Sequence, residues 1–389
     1  MTKPIHILSL LVGLSLIAPT LASEVDTTQR VYADPSTFGP YGVGVSQLEV
    51  RAPHHPGKKL TTLIWYPAES NASTNPYVYI DDDLVGSLSY TAIEDAPLVR
   101  GPEPYPVIVF SHGNGGIAYQ SVFLTEHLAS HGYVVISADH PGNTLFDYKP
   151  TSFATGIFTR PRDVTALLDE TERMNTRADS DFRGQLDMNR VGITGHSFGG
   201  YTALASAGAE INISSATMRC RVSGDVDACR FVAEANKWGP SDEGFIDLSD
   251  ARIDTAVPLA PWAWEPFKAE GLAKLTVPMQ VQGGGLDDTC PMDSQVVPVY
   301  DHVSGPRAML EVYDAGHYAW SDFCELEPDF KECSLPYIDV QLVHDLINTW
   351  VTSHFKVYLE EDSRYEVYLG DAQAIDNSDV LNWTQELGL

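Results

Sequence analysis

Basic residues are scarce: 24 Lys and Arg stand against 53 Asp and Glu in 389 residues, a formal charge of −29. A field of that sign repels nucleic acid and anionic lipid surfaces, which excludes both as charge-held partners. The acidic residues are dispersed, with only short clusters such as 81–83, and read as a solvated surface. Long hydrophobic runs are also missing. Beyond the first 22 residues no stretch of about 18 apolar residues occurs, so no stable membrane anchor is expected in the body of the chain. The five cysteines do not sit at zinc-ligand spacing and there is no HExxH, so no metal site is expected. A GxxxxGK[ST] phosphate loop, internal repeats and low-complexity tracts are absent as well, and no cofactor is implied. What is present, 43% hydrophobic and 20% charged residues, fits a globular chain with a large core.

At the N-terminus, Lys3 precedes an apolar stretch over 7–17, Pro19 and the small-residue site Thr20-Leu21-Ala22 before Ser23. This is the pattern of a secretory signal peptide over 1–22, cleaved near Ala22, and no cysteine at the cut offers a lipid attachment point. Export to a periplasm or the medium makes disulfides expected. Cys220 with Cys229 and Cys324 with Cys333 form two local pairs, each nine positions apart, and Cys290 is left over. A Cys290–Cys324 bridge is an alternative that spacing leaves open.

The mature chain, 23–389, reads as a single domain. Two β-rich runs over 43–50 and 60–66 suggest an antiparallel opening, followed by a Ser-, Asn-, Asp- and Pro-rich excursion over 69–104. Buried strands are then expected over 106–110, 133–138, 190–194, 255–259, 277–282 and 308–313. They alternate with helices over 119–130, 163–174, 202–210, 293–302 and 339–359. Continuous apolar strands between helices indicate a mostly parallel sheet covered on both faces. The polar insertion 212–250, with Cys220 and Cys229, suits either a lid over the strand ends or a stapled surface loop. The segment 360–389 forms a C-terminal extension.

The sharpest motif is Gly195-His196-Ser197-Phe198-Gly199 between a buried strand and a helix. Small neighbours let the backbone turn tightly around Ser197 and lift its hydroxyl above the sheet, and the helix start offers free N–H groups to developing negative charge. A serine needs a base and the base an orienting acid, in the chain order Ser, Asp, His. After the strand VPMQVQ comes Gly284-Gly285-Leu286-Asp287-Asp288, and after AMLEVY comes Asp314-Ala315-Gly316-His317. His317 is therefore the candidate base, and Asp287 is preferred over Asp288 as the acid. The N–H of Phe198 and that of Asn114 in SHGNGG, with Gly115 next in line, are the candidate oxyanion donors. His196 is expected to face away from the nucleophile as a packing residue. Trp262, Trp264, Tyr318 and Trp320 are candidate pocket aromatics, suited to apolar acyl or aromatic groups.

With these residues in hand, the chain resembles the α/β-hydrolase superfamily, and within it the platelet-activating-factor acetylhydrolase-like and dienelactone-hydrolase-like serine esterases. TTLIWYPA, VIVFSHGNGG, HLASHGYVVISADHPG, TRPRDV, GITGHSFGGYTALA, VPMQVQGG and AGHYAWSDFC carry the likeness in order along most of the mature chain. The resemblance implies an α/β-hydrolase fold with a disulfide-containing cap insertion, Ser197 as nucleophile, His317 as base, and Phe198 and Asn114 as oxyanion-hole amides. It implies hydrolysis of small-molecule esters through an acyl-enzyme. Peptide or amide hydrolysis and acyl transfer are alternatives on the same triad, and a non-catalytic binding module is a third. Ser197 departs from the cysteine nucleophile of true dienelactone hydrolases. In the animal phospholipid acetylhydrolases the acid follows an earlier strand, where this chain reads Pro258-Leu259-Ala260-Pro261-Trp262 without a carboxylate.

Overall fold

A computed structural model describes residues 32–69, 76–82, 86–370 and 377–386, and the expected leader over 1–22 lies outside them. Strands β1 (Gly42–Arg51) and β2 (Lys59–Ala68) open the fold. The excursion that follows holds a small hairpin, β3 (Val78–Asp82) and β4 (Gly86–Ser89), and the two-residue β5 (Ile93–Glu94). Next come β6 (Tyr105–Ser111), α1 (Val122–Ser130), β7 (Val134–Ala138), α2 (Ser152–Thr176), β8 (Leu186–His196) and α3 (Phe198–Ala207). The pair β9 (Ile211–Asn212) and β10 (Phe245–Ile246) frames the insertion, which contains α4 (Ser214–Ser223) and α5 (Val226–Ala235). The chain continues through β11 (Ile253–Leu259), α6 (Trp264–Leu272), β12 (Met279–Gly284), α7 (Val297–His302) and β13 (Arg307–Val312). It ends with α8 (Phe323–Leu326), α9 (Val340–Glu360) and β14 (Leu381–Glu386).

Ten strands form one sheet in the order β14-β13-β12-β11-β8-β6-β7-β2-β1-β5. The run from β13 to β7 is parallel, while β1/β2, β2/β7 and β13/β14 are antiparallel. Period-two patterning explains why the sheet is buried on both sides. In β2, Leu60, Ile64 and Tyr66 face one core while Leu63 and Trp65 face the other; in β6, Val107 and Val109 oppose Ile108 and Phe110 in the same way. Helices α2, α3 and α6 cover the first face, and α1 and α9 the second. This is the α/β-hydrolase architecture, and it delivers the ends of β6, β8, β12 and β13 to one rim. Among the described residues no helix is long and apolar enough to cross a membrane.

Three features differ from the sequence expectations. Helix α2 begins at Ser152, eleven residues before the expected start, and carries Pro161 inside it. Proline costs a helix one hydrogen bond, and here packing outweighs that loss: Phe158 stacks on Trp238 at 5.8 Å and Gly156 lies against Phe198. The insertion 212–250 is helical and stapled by Cys220–Cys229, and it packs Phe231 and Trp238 on Phe158 of α2. The C-terminal extension adds β14 to the sheet edge, with Trp383 6.2 Å from Trp350. The second disulfide joins Cys324 to Cys333, which leaves Cys290 as a buried free thiol and rules out a Cys290–Cys324 bridge.

Among the described residues burial pushes eight histidines down: His127 and His354 to about 3, His131, His140 and His344 to about 4, His112 and His196 well below the ordinary value, and His54 below it. Between about 6.5 and 4 the unfolded chain therefore binds more protons than the native state, so stability falls as pH falls. Glu126, Asp139, Asp254, Asp322 and Asp345, raised by burial, act in the opposite sense, but they are five against eight. The urea midpoint should accordingly be lower at pH 5 than at pH 7. A midpoint that rises on acidification would contradict this balance.

Candidate active site

The nucleophile turn is built by close approach. Ser197 joins β8 to α3 with φ 58° and ψ −116°, a conformation that a residue with a side chain adopts only when its surroundings enforce it. They do so here: Ser197 N–H donates to Leu259 O at 2.9 Å, and Ser197 O accepts from Tyr201 N–H and Trp262 N–H, both at 3.1 Å. A Cβ at Gly199 would stand 1.8 Å from the carbonyl oxygen of Ser111, and one at Gly195 would stand 2.6 Å from the same atom. The two glycines are thus required by the end of β6, which runs directly beneath the turn.

Three side chains from three strand ends meet above it. His317 Nδ1 lies 2.7 Å from Asp287 Oδ2, and His317 Nε2 lies 3.0 Å from Ser197 Oγ. A carboxylate can only accept, so Nδ1 carries the proton and Nε2 is left to accept from the serine hydroxyl. The other Asp287 oxygen accepts from Thr289 N–H at 2.8 Å and Cys290 N–H at 2.7 Å, which fixes the carboxylate plane. Asp288 points the other way: its side chain is 85% exposed and pairs loosely with Lys331. All three members of the line are buried, with Ser197 8% exposed.

The loop after β6 closes the opposite side. A Cβ at Gly113 would lie 3.5 Å from Ser197 Cβ, so this loop lies against the nucleophile. Gly113 N–H donates to Gln120 Oε1 at 2.8 Å, Gln120 Nε2 donates to His196 Nδ1 at 2.7 Å, and His196 Nε2 donates to His317 O at 2.9 Å. His196 is therefore not a residue turned away from the site. It ties the loop after β6 to the backbone of the loop that carries His317, with its ring 4.6 Å from that of His317. Gly115 N–H points to Asn143 Oδ1 at 3.4 Å. Phe198 N–H, first in α3, has no acceptor within its helix.

Of the four aromatics expected to line a pocket, two lie elsewhere. Trp320 is fully buried beneath the sheet end and donates to Gln282 Oε1 at 3.2 Å, so it is core. Trp264 turns toward α7, 5.5 Å from His302, with Lys268 over its ring. Trp262 and Tyr318 do flank the triad. Trp262 is half-buried and packs on Phe153 and Phe198, and Tyr318 meets the His317 ring edge-on at 5.6 Å.

Sequence reasoning missed Glu332, which is buried beside the Cys324–Cys333 bridge and accepts from Tyr318 N–H at 3.1 Å, bracing the histidine loop. It also missed Leu145, Phe146 and Tyr148, which are 49%, 67% and 45% exposed on the loop after β7. Leu145 N–H donates to Gly116 O, and Tyr148 lies 3.6 Å from a Cβ placed at Gly115, so these side chains adjoin the loop after β6. A position just past a parallel strand's carboxyl end was the signal that marks such residues.

With this geometry described, the relationships of the chain can be read. A family model described as PET hydrolase-like matches residues 101–221 and 211–386. Cutinase est1 of Thermobifida alba is 26% identical over 274 residues, covering 69% of this chain and 66% of that protein. Cutinase 1 of Thermobifida cellulosilytica is 24% identical over 304 residues, 77% of this chain and 86% of the relative. A bis(hydroxyethyl) terephthalate hydrolase of Streptomyces coelicolor is 26% identical over 313 residues, 78% and 74% of the two chains. The match thus spans about two thirds of the length of the first of these relatives.

Cys290 is 1% exposed, and burial together with Asp287 pushes its thiol up, although it sits within hydrogen-bonding reach of Ser197. Such a thiol is unreactive. Ellman's reagent at pH 8 should modify no group in the native protein and one per chain after unfolding without reductant. Three groups after unfolding would contradict the pairing described above.

Proposed function

The chain belongs to the PET hydrolase-like family, and on that premise we propose that it is an exported serine hydrolase of carboxylic esters. The observation that carries this reading is the line from Asp287 through His317 to Ser197, at 2.7 and 3.0 Å, above a strained turn that neighbouring hydrogen bonds hold in place.

In this reading His317 Nε2 takes the hydroxyl proton as Ser197 Oγ attacks the ester carbonyl carbon. The carbonyl π pair moves onto oxygen, and the N–H groups of Phe198 and Asn114 donate to that oxyanion. Collapse breaks the bond to the alcohol oxygen, which leaves with the proton held by His317, and the acyl group stays on Ser197. Water then attacks with His317 as base, the serine recovers its proton, and the carboxylic acid departs. Asp287 accepts the Nδ1 proton's hydrogen bond throughout and offsets the imidazolium charge.

Apolar acyl or aromatic esters of small to medium size are the proposed substrates. Trp262, Tyr318 and the exposed Leu145, Phe146 and Tyr148 support this choice, since apolar and aromatic groups would find contact there. The names of the relatives, cutinase and bis(hydroxyethyl) terephthalate hydrolase, are in keeping with it. We further propose cleavage of the leader near Ala22, one folded domain over 23–389, and a buttressing role for the insertion 212–250 on α2.

The test is initial-rate hydrolysis of p-nitrophenyl acetate, butyrate and octanoate. Ser197→Ala should lose roughly 10⁵- to 10⁶-fold in kcat. Asp287→Asn should lose about 10⁴-fold through the wrong histidine tautomer. Asp288→Asn should stay within about twofold of the parent, as an exposed side chain does. Equal rates for the parent and Ser197→Ala would refute the mechanism, and equal losses for the two aspartates would refute the assignment of the acid.

A further inference from the structure

Arg160 lies in the part of α2 that precedes Pro161, is 1% exposed, and faces the underside of the oxyanion loop. Its Nη1 donates to His112 O at 2.5 Å, and its Nη2 donates to Gly113 O at 2.9 Å. These two carbonyls are the far poles of two consecutive peptide groups. In a trans peptide the C=O and N–H point in opposite directions, so gripping the carbonyl aims the amide. The first peptide's amide, Gly113 N–H, meets Gln120 Oε1. The second peptide's amide is Asn114 N–H, the proposed oxyanion donor.

The same guanidinium stands 4.4 Å from the centre of the Phe198 ring, the residue that supplies the other proposed donor. Nη2 also donates to Asn143 Oδ1 at 2.5 Å, and Asn143 Nδ2 donates to Asn114 Oδ1 at 2.9 Å. His112 adds a second donor to Gly113 O: its Nδ1 lies 2.7 Å away and must carry the proton, because its Nε2 accepts from His140 N–H at 3.1 Å. Asp163, one turn on and fully buried, offsets the cation and holds His140 Nδ1 at 2.9 Å and His55 Nε2 at 3.1 Å. Burial pushes the Arg160 guanidinium down to about 9, so it remains charged at neutral pH.

We infer that Arg160 is a positioning residue of the oxyanion hole, whose planar fork fixes and polarises the peptide between Gly113 and Asn114. A charged donor on the carbonyl strengthens the amide dipole at its other end. Lysine, a point charge, reaches one carbonyl at a time and cannot reproduce the fork. The inference rests on the serine-hydrolase reading, and its test separates the two.

Arg160→Met and Arg160→Lys are compared with the parent on p-nitrophenyl butyrate, with rates expressed per site titrated by a fluorophosphonate. Affinity for an alkyl trifluoromethyl ketone, which forms an oxyanion on the serine, is measured alongside affinity for the matching methyl ketone. Loss of one oxyanion donor costs about 10²- to 10³-fold. Arg160→Met should therefore lower kcat per titrated site by about 10- to 100-fold with KM within about twofold. Trifluoromethyl ketone affinity should weaken in parallel, and methyl ketone affinity should hold. Arg160→Lys, which keeps the buried cation and hence the fold, should fall between the two. A merely structural role would lower the titratable fraction and the melting temperature but leave kcat per site unchanged, and that result in Arg160→Lys or Arg160→Met overturns the inference. An inactive parent that takes up no probe would instead overturn the serine-hydrolase reading itself.

Discussion

Everything at this site hangs from the contact between the carbonyl of Ser111 at the end of β6 and the backbone of the turn that carries Ser197. Two glycines come close enough to that carbonyl that no side chain fits at either. The turn is strained, with φ 58° and ψ −116°, and strain of this kind persists only where neighbouring structure over-determines it. The Leu259 carbonyl and the N–H groups of Tyr201 and Trp262 provide that determination from three separate elements. The same contact brings the loop after β6 against Ser197, so one close approach sets both the turn and the loop that faces it.

Charge is organised in an unusual contrast. The surface is strongly acidic, with a net formal charge of −29. The interior behind the active site holds one buried cation, Arg160, its counter-charge Asp163, and histidines that burial keeps neutral. Desolvation makes such a network costly unless its members are bonded, and here the fork of Arg160, His112, His140 and Asp163 are joined in sequence.

Much of this was legible in the sequence because the relevant signals are local. Glycine at both sides of Ser197, an aspartate just past β12 and a histidine just past β13 each mark a strand's carboxyl end, and continuous apolar runs alternating with helical segments mark a mostly parallel sheet covered on both faces. What was not legible depends on contacts between distant segments. The start of α2 was obscured by Pro161, a residue that usually opens or breaks a helix, and with it went the position of Arg160. Gln120, His196 and Glu332 matter because of what lies across from them, and nothing in their own neighbourhoods says so. Trp264 and Trp320 illustrate the converse: a place on the loop after β11, or beside His317, did not bring their rings to the site, because α7 claimed the first and the core the second.

In the proposed mechanism the acyl group passes through Ser197 and not through the buried thiol of Cys290 close beside it. The most direct measurement is rapid acid quenching of the protein with p-nitrophenyl butyrate, followed by intact mass and peptide mapping. A butyryl adduct of one per chain on the peptide containing Ser197, formed as p-nitrophenol is released, is the predicted result. An adduct on the peptide containing Cys290, or turnover with no adduct in Ser197's peptide under conditions where deacylation is slowed, would contradict it.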